Sequence, residues 1–494
     1  MAEEYPDILA GGEWMTGHSG ELFEDRNPAD RDDLIATFAE GDAVDIDEAV
    51  GAAKAAYPGW METPAPKRAE YVHRVGLLLE QRKEELAALM SREMGKTLRE
   101  SRADIQEGVD FAVYMAGEGR RMFGVTTKSE LPNKFSMTVR HPIGVAGLIT
   151  PWNFPIAIPT WKLFPALIAG NTVVFKPAED TPLLALKLVQ MFEEVGIPPG
   201  VLNFVTGTGE AGAALVDHKN ARCISFTGSL EVGRQINEKC GRMMKRCSLE
   251  LGSKNIMIVM PDADLDLAVE SGAWGAFATS GQRCTATSRM AVHGSIYDEF
   301  AERLVKRVQA YKVGAGTDPS VDLAPVINEK QKERILSYIE IGQNEGAKLL
   351  TGGSPLEDGP YAKGNFIAPT VFRDMTPNMR IAQEEIFGPV TGLIEIGSVD
   401  EAIEVANSVQ YGLSASIYTH DINNTFKAIE KLEFGVVYIN APTIGAEVQL
   451  PFGGMKSTGN GHREAGPVAL DEFTEWKAVS VDYSGRLQKS QGID

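Results

Sequence analysis

The sequence predicts an α/β protein with parallel sheets wrapped by helices. Three observations carry that expectation. Short β-type runs alternate with helical segments from about residue 138, and such alternation is the pattern of a parallel sheet covered by helices. The pattern restarts at IMIVM (256–260), which points to a second α/β unit over about 254–455. The chain has 494 residues, 43% hydrophobic and 23% charged; this is globular composition, with length for two or three domains.

Residues 42–120 read as helical, because Tyr71, Val75, Leu78 and Leu79 recur at helical spacing with charges between them. SMTVRHPIGVAGLI (136–149) reads as a strand, and NTVVFKP (171–177) as a buried strand closed by proline. LLALKLVQMFEEVG follows as a helix ended by Gly196. Then come strand VLNFVTG (201–207), a helix from Ala211 to His218, and strand ARCISFTG (221–228). FGVVYIN (434–440) reads as a late strand of the second unit. The tail WKAVSVDYSG (476–485) alternates apolar and polar residues and reads as a strand outside both units. A terminal strand needs an edge to pair with, and another subunit is the expected partner.

The 48 basic and 68 acidic residues give a formal net charge of −20. Such a surface repels phosphate backbones and anionic lipid, which argues against nucleic-acid and membrane partners. The four cysteines, Cys223, Cys240, Cys247 and Cys284, are too few for a disulfide scaffold and fit a reducing, cytoplasmic compartment. No CxxC, HExxH or HxxxH pattern occurs, so no metal site is expected. The acidic N-terminus lacks an apolar h-region, so no signal peptide is expected. The apolar stretch 142–177 is broken by Pro151, Pro155, Pro159 and Pro165 and contains Lys162. A membrane span needs about 20 largely uncharged apolar residues.

FTGSLEVG (226–233) places Gly228, Ser229 and Gly233 at a strand end and helix start. Glycines there let a phosphate reach free N–H groups, although the spacing is GxxxxG rather than GxGxxG, and a plain turn is the duller reading. GKT at 95–97 fails as a P-loop, because the position five before Gly95 is Met90. Cys223 reads as a core thiol, and Cys240 and Cys247 flank GRMMKR. Cys284 stands among small polar residues beside Arg283, a cationic setting that lowers a thiol pKa; it is either a nucleophile or a free structural thiol. Glu250, ending an apolar run, is a general base or a salt-bridged boundary residue. Asn153, between two prolines, is a turn former or a rigid amide donor.

LITPWNFP (148–155), NTVVFKPAEDTP (171–182), FTGSLEVG, LELGSKN (249–255), GQRCTATSR (281–289), EEIFGP (384–389) and PFGGMKSTGNG (451–461) occur in one order. Together they resemble the aldehyde dehydrogenase superfamily, over about residues 8–480. The resemblance implies a variant Rossmann cofactor-binding domain (1–121 and 143–253), an α/β catalytic domain (254–455), and a small β oligomerisation extension (122–142 and 476–494) in a homodimer or homotetramer. It implies that Cys284 attacks the aldehyde carbon, that Asn153 and the Cys284 N–H hold the oxyanion, and that Glu250 activates the hydrolytic water. Glu385 and Phe387 match residues that position the nicotinamide ribose and ring, and Lys176 and Glu179 match those at the adenosine ribose. Gly228, Ser229 and Gly233 would line the pyrophosphate site, with Thr150, Trp152 and Gln331 as secondary contacts. Glu179 makes NAD the expected cofactor, with NADP as a second possibility.

Two positions depart from the family pattern. Ser253 replaces the second glycine of the usual LELGG, near the nicotinamide pocket. Trp161 stands where succinic-semialdehyde members carry an arginine. GQRCTATSR and the 412–447 region most resemble 2,5-dioxopentanoate (α-ketoglutarate semialdehyde) dehydrogenases. A broad-specificity enzyme, an aminoadipate-type semialdehyde dehydrogenase and a non-catalytic structural relative are the alternatives. CoA-acylating members lack the hydrolytic glutamate, which Glu250 supplies here.

Overall fold

The computed structural model describes residues 3–4 and 8–491; positions 1–2, 5–7 and 492–494 of the expected domains lie outside the described residues. Helices Ala43–Glu62, Ala65–Gln81, Lys83–Glu93 and Leu98–Glu118 fill the stretch expected to be helical. Asp42 and Thr97 begin the first and fourth with reciprocal capping boxes, which satisfy N–H groups that have no partner inside the helix.

A seven-stranded sheet runs Arg246–Glu250, Ala221–Thr227, Val145–Ile149, Thr172–Lys176, Leu202–Val205, Ile8–Ala10, Glu13–Met15. The first five are parallel and the last two antiparallel. The chain leaves Val145–Ile149 toward Leu202–Val205, then returns to build Ala221–Thr227 and Arg246–Glu250 on the other side. That reversal opens a crevice beyond the carboxyl ends of the strands, where ligands bind in open α/β sheets. Thr150–Asn153, Gly228–Ser229 and Leu251–Gly252 all leave the sheet at these ends.

The expected single strand over 136–149 is two strands in different sheets, Lys134–Pro142 and Val145–Ile149. The Asn171 side-chain oxygen accepts from the Ile143 and Gly144 N–H groups at 2.8 and 3.0 Å, and Gly144 turns the chain at φ +136°, a conformation glycine adopts without a Cβ penalty.

A second seven-stranded sheet runs Lys348–Thr351, Thr370–Arg373, Val390–Ile396, Arg289–His293, Ile256–Val259, Ser414–Tyr418, Val436–Ile439. All its pairings are parallel except the first. Apolar side chains on both faces of each sheet are buried by the surrounding helices.

The tail strand Thr474–Asp482 finds its edge inside the chain. It pairs antiparallel with Lys134–Pro142, from Thr474 opposite Pro142 to Asp482 opposite Lys134, and Thr126–Lys128 completes the sheet. Partnership with another subunit, expected because no edge was visible nearby, is therefore not what pairs this strand: its partner lies more than 300 residues earlier in the sequence. Trp476, Val481, Phe135 and Phe123 stay exposed on or beside the sheet. Among the described residues no helix is long and apolar enough to cross a membrane.

Candidate active site

Cys284 lies between the two large sheets, on a loop that follows an unusual turn. Thr279, Ser280 and Gly281 all have positive φ, at 54°, 54° and 69°. Only glycine fits at 281, because a Cβ there would lie 2.0 Å from the Gly388 carbonyl oxygen. Strain at two non-glycine residues persists only where the surroundings over-determine it. Here the Thr279 N–H donates to Glu100 and the Gln282 side chain is held by Ile327 N–H and Thr279 C=O.

Two cavities meet at the thiol. One, of about 660 Å³, is lined by Trp152, Asn153, Gly228, Ser229, Gln331, Glu385 and Phe387 among others; the second, of about 300 Å³, by Trp161, Glu250, Arg283 and Phe452 among others. Cys284, Thr227, Leu251 and Ile158 line both. Asn153 thus faces one side of the thiol's position and Glu250 the other. The Asn153 amide donates to the Gln282 carbonyl at 3.0 Å, which leaves its second N–H available.

Glu250 is buried, and neither carboxylate oxygen has a hydrogen-bond partner among the described residues. Gly453 is close-packed against it: a Cβ there would lie 2.5 Å from Oε1. Burial pushes the Glu250 carboxyl well above the usual carboxylate range, and the Glu464 charge adds to this, while Lys162 opposes it. Lys162, fully buried, is hydrogen-bonded to Glu464 and donates to Ser225 Oγ at 2.8 Å. Sequence reasoning missed this charged cluster; its one visible signal was a lysine inside an apolar run.

The expectation that Arg283 lowers the Cys284 pKa is overturned. Burial pushes the thiol up, the Glu250, Glu385 and Glu464 charges push the same way, and Arg283 offsets only part of this. The guanidinium is drawn off: its Nε donates to Thr279 Oγ1 at 2.9 Å and it stands 5.2 Å from the Phe154 ring centre.

The larger cavity fits a dinucleotide. Its volume lies within the ~300–1,000 Å³ usual for ligand pockets, and the helix Leu230–Arg242 opens onto it through Gly228 and Ser229. Ser229 caps the Val232 N–H; among the described residues the earlier first-turn N–H groups are left for an anion. Trp152 and Phe387 meet edge-on at 5.5 Å. Glu385 accepts from the Ser253 N–H at 2.8 Å, and a Cβ at Gly252 would lie 2.3 Å from its Oε2.

Other expected residues stand further off. Thr150 donates its N–H to the Lys176 carbonyl at 3.3 Å, beneath the crevice floor. Lys176 is buried with its ammonium 3.6 Å from the exposed Glu179 carboxylate; burial lowers its pKa and Glu179 opposes that. These three do not line either cavity. Gly233 is close-packed: a Cβ there would lie 2.3 Å from Leu251 Cδ2. Ser253 does not open onto the larger cavity; its hydroxyl donates to Asn255 Oδ1 at 2.7 Å.

A sequence model of the Aldehyde dehydrogenase family matches residues 14–479. The chain is 43% identical to the alpha-ketoglutaric semialdehyde dehydrogenase of Bacillus subtilis, over 95% of this chain and 96% of that one. It is 44% identical to human retinaldehyde dehydrogenase 3, over 97% and 93%. The solved structure of betaine aldehyde dehydrogenase from Staphylococcus aureus in complex with NAD+ superposes with a TM-score of 0.95 at 34% identity, covering 99% of this chain and 97% of that one. The chain therefore belongs to the aldehyde dehydrogenase family and is an NAD(P)-dependent oxidoreductase that converts an aldehyde to its acid.

Proposed function

We propose that Cys284 is the nucleophile, Asn153 an oxyanion donor and Glu250 the hydrolytic base, acting on a semialdehyde that carries a carboxylate. The observation that carries this reading is the placement of Cys284 where the two cavities meet, with Asn153 in one wall and Glu250 in the other. The aldehyde enters through the smaller cavity. The Cys284 thiol gives up its proton to water in the cavity, its sulfur adds to the carbonyl carbon, and the oxyanion of the thiohemiacetal takes hydrogen bonds from the Asn153 amide and the Cys284 N–H. NAD(P), when bound, supplies the acceptor for the hydride that leaves this carbon. The acyl thioester left on Cys284 is then hydrolysed by a water that Glu250 deprotonates; a carboxylate with a raised pKa is the stronger base once ionised.

Trp152, Gly228, Ser229, Gln331, Glu385 and Phe387 hold the cofactor, with Lys176 and Glu179 at the adenosine ribose and Thr150 beneath. NAD is preferred over NADP, because a 2′-phosphate would meet the Glu179 carboxylate. Residues 1–121 and 143–253 form the cofactor domain, 254–455 the catalytic domain, and 122–142 with 476–494 an extension that joins subunits in a homo-oligomer. The exposed apolar residues Trp476, Val481 and Phe123 support that last assignment. Four free thiols suit a reducing cytoplasm.

Arg283 and Arg99 both line the smaller cavity. Glu100, Glu107, Glu250 and Glu464 share that lining, so the two guanidinium groups are what would receive the carboxylate of 2,5-dioxopentanoate, the substrate named for the Saccharolobus solfataricus relative, which is 43% identical. Aldehyde-dependent NADH formation should be fastest with 2,5-dioxopentanoate, measured against aminoadipate semialdehyde, betaine aldehyde and retinal, and absent in Cys284→Ala. A Cys284→Ala enzyme keeping a tenth of wild-type turnover would overturn the mechanism; preference for retinal would overturn the substrate class alone.

A further inference from the structure

We propose that Ser253 is a positioning residue for the reaction: its hydroxyl orients the Asn255 amide, and that amide fixes the backbone of Cys284. The idea rests on Cys284 being the nucleophile. The connections are short and buried. Ser253 Oγ donates to Asn255 Oδ1 at 2.7 Å, and Asn255 Nδ2 donates to the Cys284 carbonyl at 2.7 Å and the Ala286 carbonyl at 2.9 Å. Ser414 N–H donates to the same Oδ1 at 3.0 Å, and Leu413 N–H to Ser253 Oγ at 3.4 Å. Ser253 and Asn255 are 3% and 1% exposed.

Both lone-pair positions of the amide oxygen and both amide hydrogens are thereby used. Turning the amide over would set Nδ2 against the Ser414 N–H and Oδ1 against two carbonyls, so one orientation is fixed. Position 253 has room for this hydroxyl, while position 252 does not tolerate any side chain against Glu385. With glycine at 253, Oδ1 would keep only the Ser414 N–H. Ser253 also links the two halves of the site, since its backbone N–H holds Glu385. Substitution removes the hydroxyl but keeps that N–H, so the two links separate cleanly by experiment.

Ser253→Ala should lower kcat roughly 5- to 20-fold, the scale of a small misplacement of a reacting group. The KM for NAD should stay within about twofold, because the Glu385 link is untouched. The rate at which iodoacetamide alkylates Cys284 should change, while the thermal midpoint holds. Ser253→Thr, which keeps a hydroxyl, should restore kcat; if it does not fold, equal kcat losses in Ser253→Ala and Ser253→Gly with unchanged midpoints replace it. Wild-type kcat and alkylation rate in Ser253→Ala would overturn the proposal, as would kcat, KM and midpoint all falling together. Failure of the underlying reading is separate: there Cys284→Ala itself would stay active.

Discussion

The side-chain amide of Asn153 donates to the backbone carbonyl of Gln282 at 3.0 Å. This bond ties the loop leaving the first sheet to the loop that carries Cys284, across the boundary between the two large sheets. Asn153 is 3% exposed, so the contact is sheltered from water.

Asn153→Ala removes both the tie and a donor facing the thiol's cavity. Loss of one oxyanion donor costs roughly 10²–10³ in rate. We expect kcat to fall on that scale with NAD binding retained, by steady-state kinetics and fluorescence titration. A kcat within about threefold of wild type would count against the oxyanion role.

Glu250 sets a pH dependence of defined sign. Its carboxyl is raised by burial, so the base form accumulates only as pH rises through that raised value. Wild-type deacylation should accelerate as pH rises through that raised value and slow below it. Glu250→Gln should keep a full NADH burst in stopped flow and lose the steady state by roughly 10²–10⁴. Normal turnover in the glutamine variant would assign the base elsewhere.

Cofactor choice should respond to Glu179. Its carboxylate sits 3.6 Å from the Lys176 ammonium. Removing one of two like charges near a 2′-phosphate weakens their repulsion. Glu179→Ser should therefore raise the NADP to NAD ratio of kcat/KM about tenfold, or ~1.4 kcal/mol. An unchanged ratio would mean that Glu179 has no influence, and a wild-type preference for NADP would make Lys176 the dominant charge.

Truncation after Glu475 removes the strand segment that pairs with Lys134–Arg140 and takes Trp476 away from Arg140, which stacks over its ring at 4.3 Å. If this sheet joins subunits, multi-angle light scattering should report smaller particles than for the full chain. An unchanged mass would refute the assignment.

The sequence alone determined most of the elements named from it and the order of the motifs. Helix spacing over 42–120, the strand–helix alternation after 145 and the restart at 256 depend on residues close together along the chain, so local pattern suffices. The single strand expected over 136–149 failed because what divides it is Asn171, whose side chain arrives from elsewhere. The tail strand found its edge at 134–142 for the same reason: pairing is a long-range choice. The resemblance singled out Cys284, Glu250 and Asn153. Only the tertiary structure decided that Glu250 is a buried carboxyl, unpartnered among the described residues, beside a buried lysine–glutamate pair, and that the thiol is raised rather than lowered. Ionisation depends on burial and on charges brought together from distant parts of the chain. Arg283 is adjacent to Cys284 in sequence, yet burial and three carboxylates outweigh it in space.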